Sequence, residues 1–303
     1  MTILVTGVAG FIGNHVALKL LDRGESVVGV DSINNYYDIK LKYSRLKRLE
    51  KFKKFEFLKV NIASKDLLSS LEKYDEIDSI IHLAAQAGVR YSIENPEVYM
   101  QSNVQGFFNV LESCRGKVSH LVYASSSSVY GNSSTPFKED ADVTDPVSFY
   151  AATKVANEVM AKSYQNIYNL NCTGLRFFTV YGPWGRPDMA VYKFTEKILS
   201  GKEIELYNHG NNLRDFTYID DIVSGIISIV SSPPRRNVYN IGNSSMVRVS
   251  EFVDTLESLI GIKANRKLTG PAAGDVNKTW ANIDIIRNDF GFLPSVLLAF
   301  RAF

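Results

Sequence analysis

Tyr150 and Lys154, in the run YAATK, are the two side chains of this 303-residue sequence best suited to moving a proton. The residues around them (AATKVANEVMAKSYQ) are helix formers, so a pair spaced i, i+4 shares one helix face. A free tyrosine has a pKa near ~10 and is a poor base at neutral pH. An adjacent ammonium favours the phenolate and brings the phenol toward the working range. Ser126 lies about twenty-four positions upstream, after the apolar run HLVYA, which reads as a buried strand. Its hydroxyl would emerge at that strand's carboxyl end, where it can orient an alcohol or carbonyl for the tyrosine. YAATK is also an ordinary helical turn, so its chemical meaning depends on its company.

That company begins at the amino terminus. TILVT reads as a strand and runs into GVAGFIGNHVALKLLDRG, with glycines at Gly7, Gly10 and Gly13 and a helix pattern ending at Gly24. A strand, a glycine turn and a helix N-terminus present free backbone N–H groups and a positive dipole end to a pyrophosphate. The spacing is G-x-x-G-x-x-G, a variant of the G-x-G-x-x-G fingerprint. The next strand, SVVGVD, ends in Asp31, where a carboxylate can hold ribose hydroxyls. No arginine follows at Ser32 or Ile33, so a 2′-phosphate would be repelled. NAD is favoured over NADP.

FEFLKVNI reads as a third strand ending at Asn61 and Ile62, and DSIIHLAAQAG as a fourth, apolar enough to be covered on both faces. Its small residues Ala84 and Ala85 would let the backbone approach a cofactor. NPEVYMQSNVQGFFNVLESC predicts a helix from about Pro96. Asn103 within it fits a buried polar anchor and an ordinary helix residue equally. LVYASSSSVYG is the fifth strand. This alternation predicts an α/β fold, a doubly wound parallel sheet of Rossmann type, with ligands at the strands' carboxyl ends. The glycine turn, Asp31, Ala84 and the serines at 125–128 would then open onto one crevice.

Composition sets outer bounds. Hydrophobic residues make up 45% and charged residues 22%, ordinary for a globular enzyme. A net charge of +2 makes no case for nucleic acid or an anionic membrane. The basic run at 42–54 (KYSRLKRLEKFKK) reads as a solvated helix face. Cys114 and Cys172 have neither disulfide-framework nor metal-ligand spacing, so no metal is expected and a reducing cytoplasm is. The chain opens on a strand pattern without a signal-peptide profile, and no apolar run approaches the ~20 residues of a membrane span.

GVAGFIG, Asp31, HLAAQAGVR, NVQG, SSSSVYG, YAATK and RDFTYIDD together resemble the extended short-chain dehydrogenase/reductase family, in particular its nucleotide-sugar epimerases. AAQAGVRYS, the four-serine run and RFFTVYGPWGRPDMA at 176–190 look most like UDP-glucuronate 4-epimerases. The resemblance implies that Gly7, Gly10 and Gly13, with Phe11 and Ile12 between them, hold the NAD pyrophosphate. It puts Asp31 and Asn35 at the adenosine ribose and Asn61 with Ile62 near the adenine, although many relatives carry aspartate where Asn61 stands. Leu83, Ala84, Ala85, Gln86 and Asn103 complete the cofactor wall. Tyr150 becomes the base, Lys154 its activator and nicotinamide-ribose ligand, and Ser126 the hydroxyl partner. Arg214 and Asp275 are implied at the UDP phosphates and uridine ribose. Arg90 and Arg186 either face the anionic substrate or lie on the surface.

The implied reaction is oxidation of a sugar at C4 by bound NAD, turning of the 4-keto sugar, and reduction from the opposite face. With glucuronate the 4-keto intermediate is a β-keto acid, which loses carbon dioxide if its C5–C6 bond aligns with the carbonyl π system. Ser127, Ser128 and Thr179, with Ser126 and Tyr150, could hold the carboxylate out of that alignment through neutral hydroxyls. Relatives that dehydrate or decarboxylate typically place Asp or Glu in the SSSSVYG segment. None is present here. The extra serines also fit a strand end capped by small polar residues.

LNCTGLRFFTVYG reads as a sixth strand running into a loop, WGRPDMAVYKFTEKILSG as a helix closed by Gly201, and RDFTYIDDIVSGIISIV as a return to the main domain, with RDFTY at a UDP site or as an edge strand. This predicts a cofactor domain over 1–175 with a returning segment about 215–242. A smaller substrate lobe is expected over 176–214 and 243–303. The ending VLLAFRAF is short and apolar, unlike the polar helix of the family, as a truncated or frame-altered terminus would be. It is expected to leave a helix-sized patch uncovered. The leading expectation is an NAD-dependent UDP-glucuronate 4-epimerase supplying UDP-galacturonate for surface polysaccharide. An epimerase of a neutral UDP-hexose or UDP-N-acetylhexosamine is the alternative, and a non-catalytic NAD-binding scaffold a remote one. The family also implies a homodimer through the helices near 97–114 and 150–168.

Overall fold

The computed structural model describes residues 1–74, 76–272 and 274–295. Its first half alternates as expected: β1 (Thr2–Thr6), α1 (Phe11–Asp22), β2 (Ser26–Asp31), α2 (Ile39–Glu50), β3 (Phe55–Lys59), α3 (Asp66–Leu71) and β4 (Ser79–His82). Two helical turns, α4 (Tyr91–Glu94) and α5 (Pro96–Tyr99), then lead into α6 (Gly106–Cys114). β5 (His120–Ser126), α7 (Phe149–Tyr168) and β6 (Cys172–Phe177) continue the pattern. The second half holds β7 (Thr179–Tyr181), α8 (Ala190–Leu199), β8 (Glu203–Leu206), β9 (Leu213–Tyr218), α9 (Ile219–Val230), β10 (Val238–Ile241), β11 (Met246–Arg248), α10 (Val249–Ile260), β12 (Asn265–Leu268) and α11 (Asp284–Phe290).

Among the described residues, seven strands form one parallel sheet in the order β10-β6-β5-β4-β1-β2-β3. The chain moves outward from β1 through β2 and β3, then returns to β4 on the other side. The reversal between β1 and β4 leaves a crevice at the strands' carboxyl ends. β1, β4 and β5 are buried almost throughout, because helices cover both faces, and this explains their apolar, β-branched sequences. The core divides accordingly. One cluster, with Val5, Val16, Leu20, Ile222 and Ile226, lies under α1 and α9; the other, with Leu4, Ile80, Phe107 and Leu111, lies under α6.

Four expectations need amendment. The expected helix from Pro96 is interrupted by a π-helical segment, Met100–Gln105, which carries Asn103. The expected sixth strand breaks at Phe178: β6 stays in the main sheet, while β7 pairs with β9 in a three-stranded sheet ordered β11-β9-β7. RDFTY is therefore the central strand of a second sheet, and the return to the main sheet runs through α9 and ends in β10 beside β6. Finally, the basic run is not uniformly solvated, since Lys42 and Arg45 on α2 are buried. The ending at 296–303 lies outside the described residues.

Candidate active site

A cavity of about 410 Å³ fills the crevice between β1 and β4. Its floor begins at the glycine turn. Gly7 has φ +71, and a Cβ there would lie 2.7 Å from the Ala84 backbone nitrogen. Only glycine meets both conditions. Gly10 N–H donates to the Gly7 carbonyl at 2.9 Å, and Gly13 packs its α-carbon against that same carbonyl. The turn thus brings the N-terminus of α1 to the cavity, without an acidic residue in its first turn.

Asp31 lies opposite. Its two oxygens accept from Ala9 N–H at 3.1 Å and Ile33 N–H at 2.8 Å. Burial raises its pKa, against the pull of those amides and of Lys42. Each oxygen keeps capacity for a vicinal diol. Gly7, Gly10, Phe11, Ile12, Gly13, Asp31, Asn61, Ile62, Leu83, Ala84, Ala85 and Gln86 all line this cavity. The backbone cradle, the diol-accepting carboxylate and the small residues at 84–85 fit a dinucleotide of the NAD type. Two expected cofactor residues do not line it. Asn35 is exposed, and its neighbour Asn34 lines the cavity, sharing its side-chain oxygen with Lys42 Nζ at 2.6 Å. Asn103 lies behind the wall, where its amide holds the Gln86 backbone through bonds of 2.8 and 3.0 Å and reaches Thr153 Oγ1 at 3.1 Å. It shapes the cofactor wall rather than touching the cavity.

At the other end, β5 and α7 converge. Three residues spaced by four on α7 face three successive residues at the end of β5. The Ser126 hydroxyl lies close enough to Tyr150 to favour its phenolate, Lys154 Nζ donates to the Ala124 carbonyl at 2.8 Å, and Glu158 accepts from Ser125 Oγ at 2.5 Å. Glu158 is held in turn by Arg176 at 2.7 Å. Burial raises the Tyr150 phenol above its ordinary value, with Ser126 and Arg186 pulling the other way. Lys154 is drawn to about 8 by burial and directs its ammonium at the Ala124 carbonyl, and the nearby Arg186 charge favours the Tyr150 phenolate. Ser127 and Ser128 form a 3-10 turn beyond Ser126, whose hydroxyl accepts from Ser128 N–H at 3.2 Å. Ser126, Ser127, Ser128, Tyr150, Lys154, Thr179 and Arg186 all line the cavity. Arg186 is largely covered and pairs with Asp188.

Arg90, Arg214 and Asp275 do not line this cavity but meet one another. Asp275 accepts from Arg214 at 2.5 Å and from Asn212 at 3.3 Å, and pairs with Arg90 at 3.6 Å. The Arg90 guanidinium lies 3.9 Å from the centre of the Tyr207 ring. Gly274 packs against Val89, which does line the cavity, so this group adjoins its mouth. Sequence reading missed Tyr36, Tyr37, Lys42, Phe178 and Met189 on the cavity wall. The aromatic pair had no motif to announce it, and Lys42 was hidden in the basic run.

The fold and this crevice define a dinucleotide-dependent enzyme. Residues 3–242 match the model of the "NAD dependent epimerase/dehydratase family", and the chain belongs to that family. It is 49% identical to "Protein CapI" of Staphylococcus aureus, over 98% of this chain and 95% of that one. It is 46% identical to "UDP-glucuronate 4-epimerase 4" of Arabidopsis thaliana, over 97% of this chain and 72% of that one. Among solved structures, the UDP-glucuronic acid 4-epimerase of Bacillus cereus in complex with UDP-glucuronic acid and NAD superimposes with a TM-score of 0.93. That match has 33% identity and covers 99% of this chain and 96% of that one.

Proposed function

We propose that this chain is an NAD-dependent UDP-sugar 4-epimerase whose substrate is UDP-glucuronate and whose product is UDP-galacturonate. The observation that carries the substrate is the set of neutral hydroxyls, Ser126, Ser127, Ser128 and Thr179, around Tyr150, with no carboxylate in the SSSSVYG segment. Bound NAD supplies the hydride acceptor and donor for C4. Tyr150 takes the proton of the C4 hydroxyl and returns it after the sugar has turned. Ser126 orients that hydroxyl. Arg186, set against Tyr150, lowers the energy of the phenolate. Lys154, tied to Ala124, fixes the strand end that carries Ser126 and holds the ribose beside it. Ser127, Ser128 and Thr179 hold the sugar carboxylate out of line with the keto group, which suppresses loss of carbon dioxide. Arg214, Arg90 and Asp275 hold the UDP moiety at the cavity mouth while the sugar moves.

The division into a cofactor domain and a substrate lobe is part of this reading: the main sheet carries the first, and the sheets built on β9 and β8 carry the second. We also place the enzyme in the cytoplasm, where its two buried thiols stay reduced. Among the described residues no helix is long and apolar enough to cross a membrane. The functional unit is a homodimer. Met100, Phe108, Val159, Ile167 and Tyr168, on the segments at 96–114 and on α7, expose large apolar surface that a second copy would cover.

Proton NMR of the purified protein with UDP-glucuronate, without added NAD, tests the proposal. Appearance of UDP-galacturonate signals supports it and shows that the cofactor co-purifies. Turnover of UDP-glucose or UDP-N-acetylglucosamine alone would overturn the substrate assignment.

A further inference from the structure

Arg45 has no part in the reading above, yet it is fully buried and uses its whole guanidinium. Nη1 donates to the Ala9 carbonyl at 3.0 Å and to the Tyr37 hydroxyl at 2.7 Å. Nε and Nη2 donate to the Trp184 carbonyl at 3.2 and 2.6 Å, and Nη2 also to the Gly185 carbonyl at 3.0 Å. None of these five bonds reaches a carboxylate. Burying an unpaired cation is costly, and burial lowers the pKa of this one. An apolar side chain would fill the space at less cost, so the planar fork of donors is the property being used. One of the bonds reaches the glycine turn at Ala9, and three reach a turn 139 and 140 positions beyond Arg45. That second turn is held in an unfavourable shape, since Trp184 is a non-glycine residue at φ +62. Arg186, directly after it, lines the cavity and acts on Tyr150.

We propose that Arg45 is a positioning residue: it clamps the Trp184–Gly185 turn onto the glycine turn and thereby holds Arg186 against the sugar end of the cavity. The clamp ties the cofactor side of the crevice to its substrate side through one side chain that touches neither ligand. The substrate consequence rests on the reading of Arg186 given above; the mechanical link does not. A lysine at position 45 keeps the charge but offers one nitrogen, which cannot span Ala9, Trp184 and Gly185 together.

The test uses R45K and R45M in the NAD-loaded enzyme, with K47M on the exposed side of the same helix as control. Chymotrypsin cleaves after Trp184, whose side chain is accessible, once the turn loosens. Cleavage at Trp184–Gly185 should run about tenfold faster in R45K, the net loss of about one hydrogen bond from a charged donor, and faster again in R45M. KM for UDP-glucuronate should rise about tenfold, with bound NAD per chain unchanged. K47M should match wild type in both. If R45M does not fold, R45K decides. Cleavage and KM in R45K equal to K47M would overturn the clamp, and so would a KM change that only follows loss of NAD. A wild-type enzyme inert toward UDP-glucuronate would sink the substrate assignment, while the proteolysis comparison would still decide the clamp.

Discussion

As the proposed base, Tyr150 depends on its neighbours, because burial disfavours its phenolate and Ser126 and Arg186 act in the other direction. Removing its hydroxyl should therefore abolish proton transfer and leave the cavity intact. Tyr150→Phe is expected to lower kcat by about 10²- to 10⁴-fold, the usual share of a positioned acid–base, with co-purified NAD unchanged. Single-turnover NMR with UDP-glucuronate measures this, and activity within a few-fold of wild type would remove Tyr150 from the chemistry. The hydroxyls proposed to hold the carboxylate make a different prediction. Thr179→Val together with Ser127→Ala should raise KM for UDP-glucuronate by about tenfold or more, since each charge-assisted hydrogen bond is worth ~1.5–3 kcal/mol. Decarboxylated product should become detectable by mass spectrometry. A mutant with unchanged KM and no pentose product would return these hydroxyls to a structural role.

At the level of elements, the strand ends on either side of the crevice depend on buried polar residues. His82 closes β4, where Nδ1 meets Thr6 Oγ1 at 2.8 Å. Desolvation, and secondarily Lys154, push its pKa down from 6.5 to about 3. The unfolded chain therefore binds a proton between those values that the folded chain excludes. Stability is full above pH 6.5 and falls as pH drops, by about 1.4 kcal/mol per unit for this group. Asp215, raised by burial to about 6 from 3.8, works in the opposite sense over its own window. The informative quantity is thus the difference between variants: the Tm loss from pH 7 to pH 5 should be smaller in His82→Gln than in wild type, by calorimetry. Equal losses would show that His82 does not carry this acid sensitivity. The helices make a further, independent prediction. Val159 and Ile167, among the most exposed apolar residues of α7 at 64% and 66%, should lie in the proposed dimer contact. Val159→Glu with Ile167→Glu should shift the mass seen by light scattering from dimer to monomer; an unchanged dimer would place the interface elsewhere.

Across the whole molecule, sequence alone determined what depends on near neighbours along the chain. Alternating apolar runs and helix patterns announced the parallel sheet, because strands covered on both faces and helices covered on one have distinct periodicities. Gly7, Gly10 and Gly13 were legible since no other residue fits that turn, and Tyr150 with Lys154 since four positions span one helical turn. Tertiary structure alone decided which polar residues face the cavity and which stand behind it. Asn34 rather than Asn35 reaches the cofactor wall, and Asn103 braces Gln86 from the far side, a difference of one position or one face that spacing does not register. It likewise decided that Arg186, far off in sequence, comes to the same cavity wall as Tyr150, while Lys154 donates to the Ala124 carbonyl. Arg45 is the clearest case. In sequence it is one cation in a basic helix, and its burial follows from a turn 139 residues away folding over it. Local patterns encode backbone shape, whereas the covering of a side chain depends on packing between segments far apart in the chain.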